Sequence, residues 1–518
     1  MRRSALPVLA LLLSACTLVP WWASVNRDGR DNATVAAVTL SADASRDGMF
    51  VGLALSGGGS RAANFGAAVM LELAELGALD RVDAISSVSG GSLAAAYYML
   101  QGERGIAFTR REVDARFARD FQLRWLVRWF DPRNALRYWF TAFDRSDIMV
   151  QVFDANLFHG ATFADLGRRL VPRPSLLINA SNAVNGRKFV FANEEFNRLR
   201  SDLASYPVAR AVMASGAFPA AFASVTLRDY RTGDDRRYVH LFDGGPIDNL
   251  GIGTLVKVLQ NHLAKRYLDD APAAEPAGAP PDLLRRYGLP RGCLMISVDA
   301  YTDTSVKARR RARLDDLRPW YGFLVDPNLN DATGDLLAVK RSEALHLLGL
   351  DSANRDALGS FPIFGPNLDD DELPNLRGEL ARALAQRTGH GAADRYVVDE
   401  LLRRAGSCHL WHVTLSQLRP STACPLGELV NGVGTAYKVS KGEQCGLFAA
   451  ARMLVRAMWR EFGLDGLMRD GFPTAGPIPG APLRIREPRL SLDCSLPETV
   501  AEDGREVCRI SLTPPGSR

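Results

Sequence analysis

From Met49 to Ser56 the chain runs MFVGLALS, an apolar stretch of strand length that ends in three glycines, Gly57 to Gly59. Beyond them Phe65, Val69, Leu73 and Leu76 recur on one helical face. The pattern predicts strand, glycine turn, helix. It repeats at once: VDAISSVSGGSLAAAYYML (Val82 to Leu100) predicts a second strand, a sharp turn at Ser87-Val88-Ser89-Gly90-Gly91, and a second helix. Farther on, HLFDGGPIDNLG (His240 to Gly251) closes an apolar run with Asp243, Gly244 and Gly245. CLMISVDA (Cys293 to Ala300) and the alternating HLWHVTLSQL predict two more strands, and GEQCGLFAAARMLVRAMWREFG (Gly442 to Gly463) predicts a helix that ends the folded body. The expected fold class is α/β, a mostly parallel central sheet flanked by helices, with a C-terminal extension.

Three glycines in a row lose much backbone entropy on folding, so they call for a positive φ or a close backbone approach. At a helix start they also expose unpaired N–H groups, a ready site for a phosphate, a carboxylate or a reaction oxyanion. A dinucleotide fingerprint is the first test. GGGSRA places Ala62 where its last glycine belongs, and Asp80 and Asp83, the acidic residues in range, follow no strand. The second turn is more telling. Ser87 to Gly91 is one residue from G-x-S-x-G, the strained elbow that lifts a serine hydroxyl off a strand-to-helix turn. Ser89 can also be read as a plain helix N-cap. A nucleophilic serine needs a base and oxyanion donors, which Asp243 and the Gly57–Gly59 turn are placed to supply.

Glycine turn, serine elbow and D-G-G, in this order, resemble the patatin-like phospholipase family over Phe50 to Asn249. RAVMASGAFPAAFASV (Arg210 to Val225) is similar to the family's segment before the aspartate. The resemblance implies that Ser89 is the nucleophile and Asp243 its only side-chain partner, a dyad without histidine. It implies an oxyanion hole from Gly57, Gly58 and Gly59 with Gly90, with Arg61, Gly91, Gly244 and Gly245 in support. Ser87 and Ala62 depart from the family pattern but remove no reacting group. The implied reaction is hydrolysis of a lipid ester, phospholipase A or lysophospholipase in type, through an acyl-Ser89 intermediate, with no metal or organic cofactor. An ordinary Asp, with a pKa of about 3.9, is a poor base for a hydroxyl, so Asp243 is expected to be buried at a strand end. Two rival readings stand beside this one. An α/β-hydrolase triad would recruit His390, His409 or His412, but Ser89 follows Gly59 by only 30 residues, early for that fold. A non-catalytic surface lipoprotein would keep the fold to bind lipid.

Composition is that of a globular chain of 518 residues, and a net charge of +5 spread along it gives no argument for nucleic acid. The N-terminus changes the picture more. Met1-Arg2-Arg3, the apolar ALPVLALLL and LSAC read as a secretion signal over 1–15, too short to span a core of about 30 Å. Cys16 after small residues resembles a lipobox, which predicts a lipidated N-terminus, a membrane lipid anchor, and, with Thr17 following, the outer membrane of a bacterial envelope facing the periplasm. Six cysteines remain for an oxidising compartment. They allow fifteen pairings, of which Cys424–Cys445 and Cys494–Cys508 join nearest neighbours. Cys408, His409 and His412 lack a second ligand pair at zinc spacing and fit a strand.

The expected organisation is a linker over 16–48, a hydrolytic domain over 49–463 with its core motifs in 50–249, and a tail over 464–518. Within the domain, a cap-like insertion covers about 101–172, and a Pro/Ala-rich loop about 269–290. FQLRWLVRWFDPRNALRYWF (Phe121 to Phe140) interleaves tryptophans with arginines. It reads either as a lid or membrane-facing patch over a lipid site, or as a cap packed on the core with solvated arginines.

Overall fold

The computed structural model describes residues 24–29, 34–35, 38–40, 47–167, 174–219, 221–231, 237–269, 289–302, 327–350, 357–364, 382, 406–418, 425–472, 499–502 and 505–509. Cys16 and the signal segment, most of the 269–290 loop, His390, Cys424 and Cys494 lie outside them. In chain order the elements that build the site are β1 (Phe50–Leu55), α1 (Gly59–Glu75), β2 (Ala84–Val88) and α2 (Gly90–Arg104). Four short helices follow, α3 (Arg110–Phe117), α4 (Phe121–Trp129), α5 (Pro132–Phe140) and α6 (Arg145–Phe153). Next come β3 (Ser175–Asn182), β4 (Arg187–Phe191), α7 (Val208–Ser215), β5 (Val225–Arg228), β6 (Tyr238–Asp243), α8 (Ile252–Asp269) and β7 (Cys293–Asp299). The remainder contributes α9 (Pro327–Leu347), β8 (Leu358–Pro362), β9 (Ser407–Thr414), α10 (Pro425–Asn431), α11 (Lys441–Glu461) and α12 (Leu464–Asp470).

Among the described residues the main sheet has nine strands in the order β5-β6-β3-β2-β1-β7-β9-β8, with β4 also paired to β3. The five central strands, β3 through β9, are parallel, and the outer pairings are antiparallel. This is the expected α/β sheet.

Period-two alternation explains why the central strands are apolar throughout. Val51, Leu53 and Leu55 of β1 face one core layer, formed with α1, α2 and α11, while Phe50 and Ala54 face a second layer with α8. β9 behaves alike, with Trp411 and Val413 in the first layer and Cys408 and Leu410 in the second.

One expectation changes. The packed body runs past 463: Leu464, Met468 and Phe472 are buried in the first core layer, so α12 belongs to it. A two-stranded antiparallel hairpin, Thr499–Glu502 with Arg505–Arg509, lies in the C-terminal extension. Cys424 and Cys494, and with them the expected pairings Cys424–Cys445 and Cys494–Cys508, lie outside the described residues. Cys293 on β7 and Cys408 on β9 form a disulfide across 115 residues, because parallel pairing makes neighbours of strands that are remote in sequence. This excludes the Cys408 thiolate as a metal ligand. Cys445 is disulfide-bonded as well.

A cross-link closing so long a loop restricts the unfolded chain more than the folded one. Replacing Cys293 and Cys408 together by Ala is expected to lower stability by about 2–4 kcal/mol. A denaturant titration would read this, and an unchanged midpoint would show that the strand pairing holds without the bond.

Candidate active site

β1 and β2 are adjacent and parallel, with Leu55 opposite Ser87, so the two turns that leave their C-terminal ends lie side by side. Contact between the turns is direct. A Cβ on Gly90 would overlap the carbonyl oxygen of Gly59, so only glycine fits there. Gly58 (φ 140°) and Gly59 (φ 60°) take conformations that side chains disfavour. The N–H of Gly57 donates to Asn249 O at 3.1 Å, and Ser60 N donates to Ala436 O at 2.7 Å. Among the described residues no carbonyl accepts from the N–H groups of Gly58, Gly59 or Gly90.

Ser89 sits at φ 49°, ψ −118°, a conformation that costs a non-glycine residue about 1–3 kcal/mol. Its surroundings hold it there. Its N–H donates to Ser215 Oγ at 2.8 Å, and Ser215 Oγ donates to Asn179 O at 2.6 Å. Ser92 Oγ lies 3.0 Å from Ser215 Oγ and 3.1 Å from Ser87 Oγ. The serine that replaces an elbow glycine is thus absorbed into a buried hydroxyl network.

β6 enters antiparallel to β3 and pairs Asp243 with Ala180, while Asn179 pairs with Val88 of β2. This sets Asp243 level with Ser89. Ser89 and Asp243 line one cavity, the hydroxyl near enough to favour the charged carboxylate, and Asp243 Oδ1 accepts from Gly245 N at 2.8 Å. Burial pushes the Asp243 carboxyl up to about 6, against the Gly245 hydrogen bond and the Ser89 hydroxyl. The Tyr437 hydroxyl stands near Ser89 beside Gly216 and donates its proton to Gly216 O at 2.9 Å. Burial and the Asp243 charge hold that phenol well above its ordinary range, so it stays protonated at neutral pH. A cavity of about 480 Å³ opens over the pair, with Trp125, Met149, Phe218, Phe222 and Leu337 among its walls.

Residues 53–256 match the family model described as patatin-like phospholipase. They form a patatin-like phospholipase domain. Members of that family are lipid acyl hydrolases, which makes a lipid the substrate class. No curated protein matches the chain. Among solved structures it is similar to VipD from Legionella pneumophila, at 13% identity over 82% of this chain and 78% of that one, with a TM-score of 0.25. That likeness is too weak to bear on fold or function.

The patatin-like domain gathers Ser89, Asp243, Gly57, Gly58, Gly59 and Arg61 around one cavity. Gly57 differs from expectation, since Asn249 O already occupies its N–H. Gly91 and Gly244 are needed for space: a Cβ on either would come within 2.5 to 2.6 Å of the Leu55 or Asn179 carbonyl oxygen. Arg61 does not project as a free cation. It is buried, with Nη1 donating to Val433 O at 2.7 Å, and desolvation lowers its pKa to about 10. It ties down the loop that carries Tyr437.

The histidines stand apart. His412 Nε2 lies 3.2 Å from Asp299, which also accepts from Arg341 at 2.5 Å, and the ring of His409 packs 5.2 Å from that of Phe472. No histidine lines the cavity among the described residues. Asn249, Ser215 and Tyr437 were missed from the sequence. Asn249 and Ser215 fall inside quoted motifs, but nothing in the Gly432–Ser440 loop marks Tyr437 as a neighbour of Ser89.

The raised pKa has a consequence for stability. Folded Asp243 holds its proton up to about pH 6, whereas the unfolded carboxyl releases it near 3.8, so stability is greatest below that value and falls as pH rises through about 6. The displacement corresponds to about 3 kcal/mol at most. Asp243→Asn is therefore expected to unfold later than the parent above pH 6 and to match it in acid. Denaturation midpoints on both sides of that range check the sign, and a variant less stable than the parent at alkaline pH would contradict it.

Proposed function

We propose that the chain hydrolyses a carboxylic ester of a lipid through an acyl-Ser89 intermediate, with Asp243 as the base. The observation that carries this reading is a strained serine and a buried carboxylate lining one cavity, beside N–H groups that have no carbonyl acceptor among the described residues. Asp243 takes the Ser89 proton as Oγ attacks the ester carbonyl carbon. The N–H groups of Gly58, Gly59 and Gly90 receive the developing oxyanion. The proton then passes to the departing alcohol, and a water deprotonated by Asp243 releases the acid and restores Ser89. Each oxyanion donor of this kind is worth about 2.7–4 kcal/mol. The apolar walls fit an acyl chain, which favours phospholipid or lysophospholipid over a small polar ester.

A base must be ionised, so kcat/KM on a soluble short-chain ester should rise with pH through about 6. Ser89→Ala should abolish both turnover and labelling by a fluorophosphonate, and the label should map to Ser89. Tyr437→Phe removes a neutral group and should leave turnover within about tenfold. Turnover by the Ser89→Ala protein, or labelling at another residue, would overturn the assignment.

The cysteine after the apolar N-terminal run supports a second part of the reading, a lipid tether that holds the enzyme at a bacterial envelope membrane. Cys16→Ser should release it to the soluble fraction with soluble-ester turnover intact. A mature protein whose first residue is other than Cys16 would refute the tether.

A further inference from the structure

Helices α4 and α5 turn outward a face that the folding of the chain leaves uncovered. Leu123, Val127, Phe130, Leu136, Trp139 and Phe140 are all exposed, Phe130 by 85% and Trp139 by 69%. The inner side of the same helices is fixed. Trp125 Nε1 donates to Arg145 O at 2.9 Å, Asn134 Nδ2 donates to Arg128 O at 3.0 Å, and Asn134 exchanges hydrogen bonds with Gln151 on α6. The apolar face is thus held in place against the body. Clustered apolar exposure of this kind marks a contact surface.

Two further observations say what it contacts. Phe121 to Phe140 carries four arginines, Arg124, Arg128, Arg133 and Arg137, against one acidic residue, Asp131. Asp131 is engaged as the N-cap of α5, accepting from Arg133 N at 2.9 Å, and Arg124, Arg133 and Arg137 are exposed. Apolar side chains, tryptophans and cations in one short segment match the interface of an anionic bilayer, where each arginine near the surface gains from the lipid charge. A second copy of the chain fits less well, because a two-fold contact sets this cationic face against itself. Among the described residues no helix is long and apolar enough to cross a membrane, so contact here is peripheral.

The face is also continuous with the cavity. Rings pass in contact from Trp139 to Tyr138 (6.0 Å), Trp129 (4.8 Å), Trp125 (5.8 Å), Phe222 (5.7 Å) and Tyr437 (5.7 Å), which lines the cavity with Ser89. We propose that the α4–α5 face is a docking surface for an anionic phospholipid bilayer, and that the ring row leads an acyl chain from that surface to Ser89. The acyl path rests on the reaction proposed above; the docking does not.

The full-length protein carrying Cys16→Ser and Ser89→Ala, without tether or turnover, is mixed with phosphatidylcholine vesicles prepared with or without phosphatidylglycerol. Co-sedimentation and the blue shift of tryptophan fluorescence report binding. Binding is expected only with phosphatidylglycerol, weakened about tenfold or more by Phe130→Ser with Phe140→Ser, and similarly by Arg124→Glu with Arg133→Glu. With Ser89 restored, these exposed-face variants should match the parent on a soluble ester, which also shows that they fold. Absence of binding, equal binding to neutral vesicles, or binding indifferent to both pairs overturns the proposal. So does a dimer that the Phe130→Ser and Phe140→Ser pair disperses without changing vesicle binding. If binding follows expectation but the Ser89 protein turns over no ester, the docking surface stands and the proposed reaction falls.

Discussion

The site depends on one contact between backbones, the approach of the Gly59 carbonyl to the Cα of Gly90. Two adjacent parallel strands feed helices through neighbouring turns, and a Cβ on Gly90 would strike the Gly59 carbonyl, while one on Gly59 would strike the Ala436 carbonyl of a third segment. Glycine at 90 lets the two turns touch, and glycine at 59 lets the Ala436 loop close over them. The helix that begins at Gly59 and the helix that begins at Gly90 therefore start side by side next to Ser89, with first N–H groups that no carbonyl accepts among the described residues.

Asp243 is buried beside this contact, and its carboxyl is kept near 6 because burial outweighs the Gly245 hydrogen bond and the Ser89 hydroxyl. Its opposite is Asp299, a few strands away, where Arg341 and His412 hold a buried carboxyl far below the ordinary range despite burial. The two carboxylates sit in the same sheet and differ in their partners. One is left basic enough to take a proton, and the other is locked as a structural anion that also lies within electrostatic reach of Arg61.

The segment between the elbow and the aspartate joins the two readings that its sequence left open. Its inner side is a cap packed on the core through Trp125, and its outer side is exposed, apolar and cationic. Short helices capped by Asp120, Asp131 and Asp144 turn sharply enough for one segment to serve both.

Local pattern determined the strand-turn-helix units, the glycine turn, the Ser89 elbow and the burial of Asp243 at a strand end, because these depend on period, chain reversal and steric room within a few residues. The sequence also marked which segment combines tryptophan with arginine. Only the tertiary structure decided what lies between remote segments. Cys293 met Cys408, Tyr437 joined Ser89 at one cavity, Arg61 turned to Val433, and Gly57 gave its N–H to Asn249. His412, a candidate base by composition, was claimed by Asp299. Each of these partners is chosen by sheet register and loop packing across tens to hundreds of residues, and a short sequence pattern holds no record of which of many equivalent groups will be brought within a few ångströms.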